Sequence, residues 1–159
     1  LQDIDPENDY TNISCDWWTP LYDAVGSSIE ATLVEAARLW DEDFAVNAIS
    51  VFITDGLNNA SKLTPLDIKD KTDMALRGEK IESYRTILVG VNPDTLNKFW
   101  KDEVSKGLSE FHVEAGLTEY IDLEDFTDKA IKKIILQVSS ITSDTSKQLG
   151  SGGPSQLTF

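Results

Sequence analysis

The sequence predicts an α/β fold in which helices cover both faces of a mostly parallel sheet. Two compact runs, at 47–56 and 84–93, are rich in β-branched and other apolar residues and are typical of strands buried on both faces. Stretches with apolar residues three and four positions apart stand before, between and after these runs. The resulting order of helix, strand, helix, strand, helix, strand and helix is the one that produces a parallel sheet.

The first helix is predicted to begin at Pro20, and the first strand follows it. The helix is predicted from one apolar stripe, made of Leu21, Val25, Ile29, Leu33, Ala36 and Trp40. The strand NAISVFITDG then ends in Asp-Gly, a common turn pair. Residues 1–18 mix turn-forming, acidic and aromatic residues without a sustained period, so we assign them to an N-terminal loop region.

The segment 64–80 predicts the second helix. Thr64 is its expected N-cap, Pro65 occupies the first helical position, and Asp67 closes a capping box. After the second strand, Asn92 is predicted to cap the third helix. Four residues are expected on the inner side of that helix: Leu96, Phe99, Trp100 and Val104.

The third strand is expected within 111–123, in the strings FHVEA and EYIDL. Asp125 then caps a last helix. The apolar face of that helix consists of Ala130, Ile131, Ile134, Ile135, Val138 and Ile141. We therefore expect one α/β domain over 19–141, between the loop region 1–18 and a Ser-, Thr- and Gly-rich tail over 142–159.

Composition excludes several classes of partner. The chain has 28 acidic and 14 basic residues among 159, a net charge of −14, which repels nucleic acid and anionic membrane surfaces. No apolar run approaches the roughly 18 residues that a membrane span requires. The single cysteine cannot form an internal disulfide, which favours an intracellular, reducing compartment over secretion.

Two residues are candidate ligands for a hard cation. Asp55 follows the first strand at its carboxyl end, where binding sites form in open α/β sheets, and Thr19 lies on the loop ahead of the preceding helix. A hard ion such as Mg²⁺ takes oxygen ligands and needs few from the protein. Each residue also has a simpler interpretation, since Thr19 suits the N-cap of the first helix and Asp55 with Gly56 suits an ordinary turn.

The strings TPLYDA (19–24) and VFITDG (51–56) resemble, in this order, two motifs of the von Willebrand factor type A family. The resemblance implies a doubly wound, Rossmann-like sheet and a metal-ion-dependent adhesion site. It implies Thr19 and Asp55 as ligands of Mg²⁺, or of Mn²⁺ or Ca²⁺, with one position left open for an acidic side chain of a protein partner.

The family's Asp-x-Ser-x-Ser motif and the first strand that carries it are missing from this pattern. The nearest string, SDTSK at 143–147, has the wrong spacing. Because the family's first strand lies beside the one at 47–56, its absence would leave an apolar strand edge open. We therefore expect an upstream segment or another chain to complete the sheet.

Several neighbouring residues have two interpretations. Trp17, Trp18, Leu57 and Asn58 are predicted to form the partner-binding rim, whereas packing or turn formation accounts for them equally well. Asp23 either supports the ligands from one helical turn away or is a solvent-facing first-turn acid, and Asn59 either shapes the rim or is a turn residue tolerant of positive φ. His112 is expected to be a structural residue in a strand.

The sequence favours a non-enzymatic binding module. It lacks a Ser-His-Asp ordering, a phosphate-binding glycine loop and an obvious general base beside the candidate metal ligands. The alternative is a structural subunit that keeps the fold without the metal, inside a larger assembly that supplies the central strand.

Overall fold

The computed structural model describes residues 18–78, 80–91, 97–123, 127, 132, 134–136 and 138–140. In chain order the elements are α1 (Leu21–Asp41), β1 (Asn47–Thr54), α2 (Pro65–Arg77), β2 (Ser83–Val91), α3 (Lys98–Glu114) and β3 (Glu119–Leu123). Helical backbone recurs at 132, 134–136 and 138–140. The predicted α/β class is confirmed.

The three described strands form one parallel sheet in the order β1, β2, β3. Asn47 pairs with Ser83 at the start of β1, and Thr54 pairs with Gly90 at its end. β2 is therefore the central strand of the described sheet. Since all three strands are parallel, their carboxyl ends lie at one edge of the sheet, as the alternation of elements predicted.

The two faces of the sheet carry separate apolar clusters. Helices α1, α2 and α3 pack on one face, in a core that includes Ile29, Ile68, Tyr84, Leu88 and Leu108. On the other face Ile87, Val89, Val91 and Leu123 contact Ile134 and Val138. Both faces of β2 are thus covered, which agrees with the continuous apolar run that predicted it.

β1 is less covered than its sequence predicted. In the described part of the chain it pairs only with β2, and Ile53 on its outer side is 60% exposed. Val51 is exposed as well. The expectation of a strand buried on both faces is wrong for these two residues, because β1 stands at the flank of the described sheet and the cluster around Ile87 does not reach them.

The start of α2 confirms the predicted capping box. The backbone N–H of Asp67 donates to the hydroxyl of Thr64 at 3.3 Å, and the N–H of Thr64 donates to a carboxylate oxygen of Asp67 at 2.7 Å. Pro65 occupies the first turn. Two otherwise unsatisfied N–H groups are paired within four residues of chain.

The boundaries of α3 correct two expectations. The string FHVEA is helical up to Glu114, so only EYIDL forms the third strand. Val104, Leu108, Phe111 and Ala115 all lie in the core, and this three- and four-residue spacing extends the helix through the predicted strand. Asn97 caps α3 by accepting the N–H of Trp100 at 3.1 Å, in place of the predicted Asn92, which lies outside the described residues together with Leu96.

Phe99 and Trp100, predicted on the inner side of this helix, are 65% and 56% exposed. Leu108 packs on Gly90, the second-last residue of β2, because a methyl group built on that glycine would lie 2.8 Å from its Cδ1. Phe99 is nine residues earlier, about 13 Å along the helix. The first turn of α3 therefore extends beyond the end of β2, where the described sheet does not cover its side chains.

Other expectations lie outside the described residues. These are Trp17 with the rest of 1–17, the cap Asp125, residues 130, 131 and 141 of the last helix, and the tail 142–159. Among the residues that are described, no helix has both the length and the apolar character required to cross a membrane.

Candidate metal centre

Asp55 follows the last residue of β1, at the carboxyl edge of the sheet, and its side chain is exposed. The turn after the strand is held by Thr54, whose hydroxyl donates to the carbonyl of Gly56 at 2.9 Å and accepts the N–H of Gly56 at 3.3 Å. Gly56 does not have a positive φ, and open space surrounds the position of a Cβ. The hydroxyl of Thr54, rather than glycine flexibility, thus accounts for this turn.

Thr19 is hydrogen-bonded to the loop that follows Asp55. Its backbone N–H donates to Oδ1 of Asn59 at 2.6 Å, and its carbonyl accepts the N–H of Asn59 at 3.1 Å. Asn59 lies four residues after Asp55 in the chain. The structure therefore brings the segments of both predicted ligands together at one end of the sheet, although they are 36 residues apart in sequence.

The N-cap interpretation of Thr19 is wrong. The N-cap of α1 is Pro20, which has no side-chain hydrogen bond to give. The hydroxyl of Ser61 takes over this task, accepting the N–H groups of Tyr22 at 2.9 Å and Asp23 at 3.1 Å. Because Ser61 satisfies these donors from the loop, the hydroxyl of Thr19 is not used for capping.

Asp23 fixes the same loop from the helix side. Its Oδ1 accepts the backbone N–H groups of Lys62 at 3.0 Å and Leu63 at 2.9 Å. These hydrogen bonds stabilise the charged form and lower the pKa of the Asp23 carboxyl below its ordinary value. Asp23 is therefore not simply a solvent-facing acid of the first turn, because its carboxylate joins α1 to the loop.

The predicted rim residues have several environments. Trp18 is exposed, whereas Trp17 lies outside the described residues. Leu57 packs against Gly107 of α3, because a methyl group built on Gly107 would lie only 2.6 Å from Cδ2 of Leu57. Asn58 accepts a hydrogen bond from the hydroxyl of Ser61, and thereby orients the group that caps α1.

Two other predicted residues differ from expectation. Asn58 and Asn59 do not have positive φ, so a tolerance for that conformation is not why they stand here. His112 lies on α3 rather than on a strand. Its Nε2 is buried without a hydrogen-bond partner in the described residues, and its ring centroid is 6.2 Å from that of Tyr120.

Ser61 was not predicted to position the site, and Asn59 was expected only as a rim or turn residue. Their contacts with the start of α1 span 38 to 40 residues of sequence, so no local pattern marks them. The one available signal is the polar run NNAS at 58–61 directly after the candidate ligand. Such a run is typical of any loop, and its role depends on which helix end lies beside it.

The donors present fit part of a site for a hard cation. Asp55 offers a charged oxygen, and Thr19 offers a hydroxyl of the kind that Mg²⁺ accepts beside several waters. In the described ranges, no group of three or more His, Cys, Asp or Glu side chains is arranged to hold a metal ion. A complete site would require further oxygen donors beyond these two residues.

Comparison of the chain with family models, curated proteins and solved structures found no match.

Proposed function

We propose that this chain is a non-enzymatic binding module of the von Willebrand factor type A kind, which recognises an acidic side chain of a protein partner through a divalent cation. The observation that carries the proposal is the pairing of Thr19 with Asn59 in the loop after Asp55. Two residues singled out by a motif resemblance, 36 positions apart, belong to segments that are hydrogen-bonded to each other.

In this proposal Asp55 supplies the charged ligand and Thr19 the hydroxyl ligand. The bound ion, Mg²⁺ or alternatively Mn²⁺ or Ca²⁺, supplies an open coordination position for the carboxylate of the partner. The chain's own contribution is to fix the two ligand segments. Ser61 and Asp23 do so by hydrogen bonds between the first turn of α1 and the loop over 58–63.

The surroundings suit a protein partner. Trp18 is exposed next to Thr19, and aromatic side chains supply much of the contact energy in protein interfaces. Leu57 and Asn58 would form the rim from the loop side, as Trp17 would from the other. The proposal also includes the doubly wound sheet of that family. In this sheet the family's first strand would pair with β1 along the edge that has no strand partner among the described residues.

The proposal is tested by the effect of the metal on thermal stability. With the segment that completes the sheet present, Mg²⁺ or Mn²⁺ should raise the melting temperature by mass action, and Asp55→Ala should abolish this shift while leaving the fold intact. Thr19→Ala should reduce the shift less, because a hydroxyl is a weaker ligand than a carboxylate. A control is Asp70→Ala, which removes an equal charge from an exposed position on α2 and should keep the full shift. If the shift were as large in Asp55→Ala as in the wild type, Asp55 would not be a ligand.

The second candidate is a metal-free structural subunit, and the open flank of β1 favours it. In the described sheet, the edge of β1 beside the exposed Ile53 has no strand partner, and a strand from another segment or chain would cover it. Partner binding separates the two candidates. The adhesion-site proposal requires binding to disappear in excess chelator and to weaken little with moderate salt, whereas the structural subunit binds equally well in chelator.

A further inference from the structure

A second candidate site lies at the opposite end of the sheet from Asp55. A cavity of about 340 Å³ opens between the end of α1 and the starts of β1 and β2. Its lining consists of Trp40, Asp43, Phe44, Ala45 and Glu82. It is open to solvent, since all five lining residues are exposed, and its volume lies at the lower end of the range of pockets that bind small organic groups.

The end of α1 builds one wall of this cavity. The N–H of Asp43 donates to the carbonyl of Trp40 at 3.0 Å, and the N–H of Phe44 donates to the carbonyl of Leu39 at 3.0 Å. These are the two hydrogen bonds of a Schellman motif, and Asp43 adopts the positive φ of 65° that the motif requires. The turn thereby holds Trp40, Asp43 and Phe44 around the same opening.

Glu82 reaches the cavity from the position just before β2. Its backbone N–H donates to the carbonyl of Val46 at 2.8 Å, and Ser83 then begins β2 beside Asn47 of β1. Backbone hydrogen bonds therefore fix the positions of both acidic residues in the lining. The carboxylates of Asp43 and Glu82 have no ion-pair partner in the described part of the chain, whereas the neighbouring Glu42 is paired with Arg38 at 2.6 Å.

The lining combines aromatic rings with negative charge and contains no basic residue. Trp40 is 43% exposed and Phe44 is 57% exposed, although both are large apolar side chains. Aromatic faces attract cations that carry alkyl groups, and nearby carboxylates add charge attraction. Anions are repelled here, and although the two carboxylates could approach any cation, the rings favour one that carries alkyl groups over a bare metal ion, to which they offer no oxygen ligands.

We propose that this cavity binds an organic ammonium cation, with the rings of Trp40 and Phe44 contacting its alkyl groups and the carboxylates of Asp43 and Glu82 balancing its charge. The cation is either a small free alkylammonium compound or the ammonium end of a lysine side chain, including its methylated forms. The site is independent of the proposed metal centre, because it lies at the amino ends of the strands.

The test is a nuclear magnetic resonance titration of the ¹⁵N-labelled full chain, following the indole N–H signal of Trp40, which Trp40→Phe identifies. Choline chloride, at constant ionic strength, should shift this signal in a saturable manner. The uncharged isostere 3,3-dimethylbutan-1-ol should bind about ten times more weakly or not measurably. Two peptides that differ only in carrying one trimethyllysine or one unmodified lysine distinguish the two sources of the cation. If the source is a lysine side chain of a protein, one of these peptides should bind more tightly than choline, and if the source is a free compound, neither should.

Three variants define the contributions of the lining. Asp43→Asn, Glu82→Gln and Phe44→Leu should each raise the dissociation constant for choline about two- to fivefold. Asp41→Asn is the matched control, because it removes an equal charge from an exposed position outside the lining. The proposal is overturned if the alcohol binds as tightly as choline, if choline gives no saturable shift, or if Asp41→Asn weakens binding as much as Asp43→Asn.

Discussion

Single polar side chains decide how the start of α1 is joined to the loop after β1. Ser61 accepts two N–H groups of the helix, and Asp23 of the helix accepts two N–H groups of the loop. Each side chain thus satisfies backbone donors that belong to the other segment. Because Thr19 and Asp55 stand at the two ends of this connection, the reciprocal contacts hold the candidate metal ligands in place.

The lowered pKa of Asp23 predicts a change of stability in acid. Its folded pKa is below the ordinary value of 3.8, so the charged form stabilises the fold above pH 3.8, and this contribution is lost as the pH falls through the folded pKa. Asp23→Asn should therefore be less stable than the wild type at pH 7, and the difference should narrow below pH 3.8. Urea unfolding midpoints between pH 7 and pH 2.5 measure it.

The control for this experiment is Asp70→Asn, at an exposed position on α2. This variant should follow the wild type throughout the pH range. A constant difference between Asp23→Asn and the wild type down to pH 2.5 would contradict the assignment of the charged form of Asp23 to the loop contacts.

At the scale of the elements, β2 and α3 approach each other closely through glycine. A methyl group built on Gly90 would lie 2.8 Å from Cδ1 of Leu108 and 2.9 Å from the hydroxyl oxygen of Tyr120. That hydroxyl donates to the carbonyl of Ser105 on α3, and burial raises the pKa of Tyr120 to about 12. Gly90 therefore leaves the space in which strand and helix pack together.

Gly90→Ala should destabilise the chain by about 1–3 kcal/mol, because the added methyl group overpacks a buried contact. Gly107→Ala is the comparison. It is expected within about 1 kcal/mol of the wild type, since alanine favours the helix and the methyl group would meet only the flexible, partly exposed end of Leu57. Chemical denaturation of both variants measures the difference. Equal effects would show that the space beside Gly90 is not constrained.

At the scale of the whole molecule, the uncovered flank of β1 is the feature with the largest consequence. Its backbone groups on one side have no strand partner in the described sheet, and Ile53 stands exposed beside them. Open apolar strand edges pair with other chains. On its own, the chain should therefore self-associate rather than behave as a stable, monodisperse monomer.

Ile53→Lys should reduce self-association, because a charge next to an open strand edge opposes pairing with another strand. Val113→Lys is the matched control, since it replaces an exposed apolar residue on α3. Sedimentation velocity over a range of protein concentrations distinguishes them. If the two variants reduced association equally, net charge rather than the strand edge would govern it.

The sequence by itself determined the α/β class, the elements α1, α2, β1 and β2, and the capping box of α2. Each of these depends on residues within a few positions of one another, such as Thr64 and Asp67, so a local pattern records it. The position of Asp55 directly after a strand could also be predicted from sequence, because it is local information, whereas its role as a metal ligand stays a proposal. Thr19 could be predicted only as one of two alternatives.

The tertiary structure decided what depends on distant neighbours. It gave the capping of α1 to Ser61, on a loop about 40 residues away, and thereby removed the capping role from Thr19. It exposed Phe99 and Trp100, because the periodicity of a helix does not record where the sheet beneath it ends. It also left Ile53 uncovered, since an apolar run is the same whether its strand lies at the centre of a sheet or at its flank.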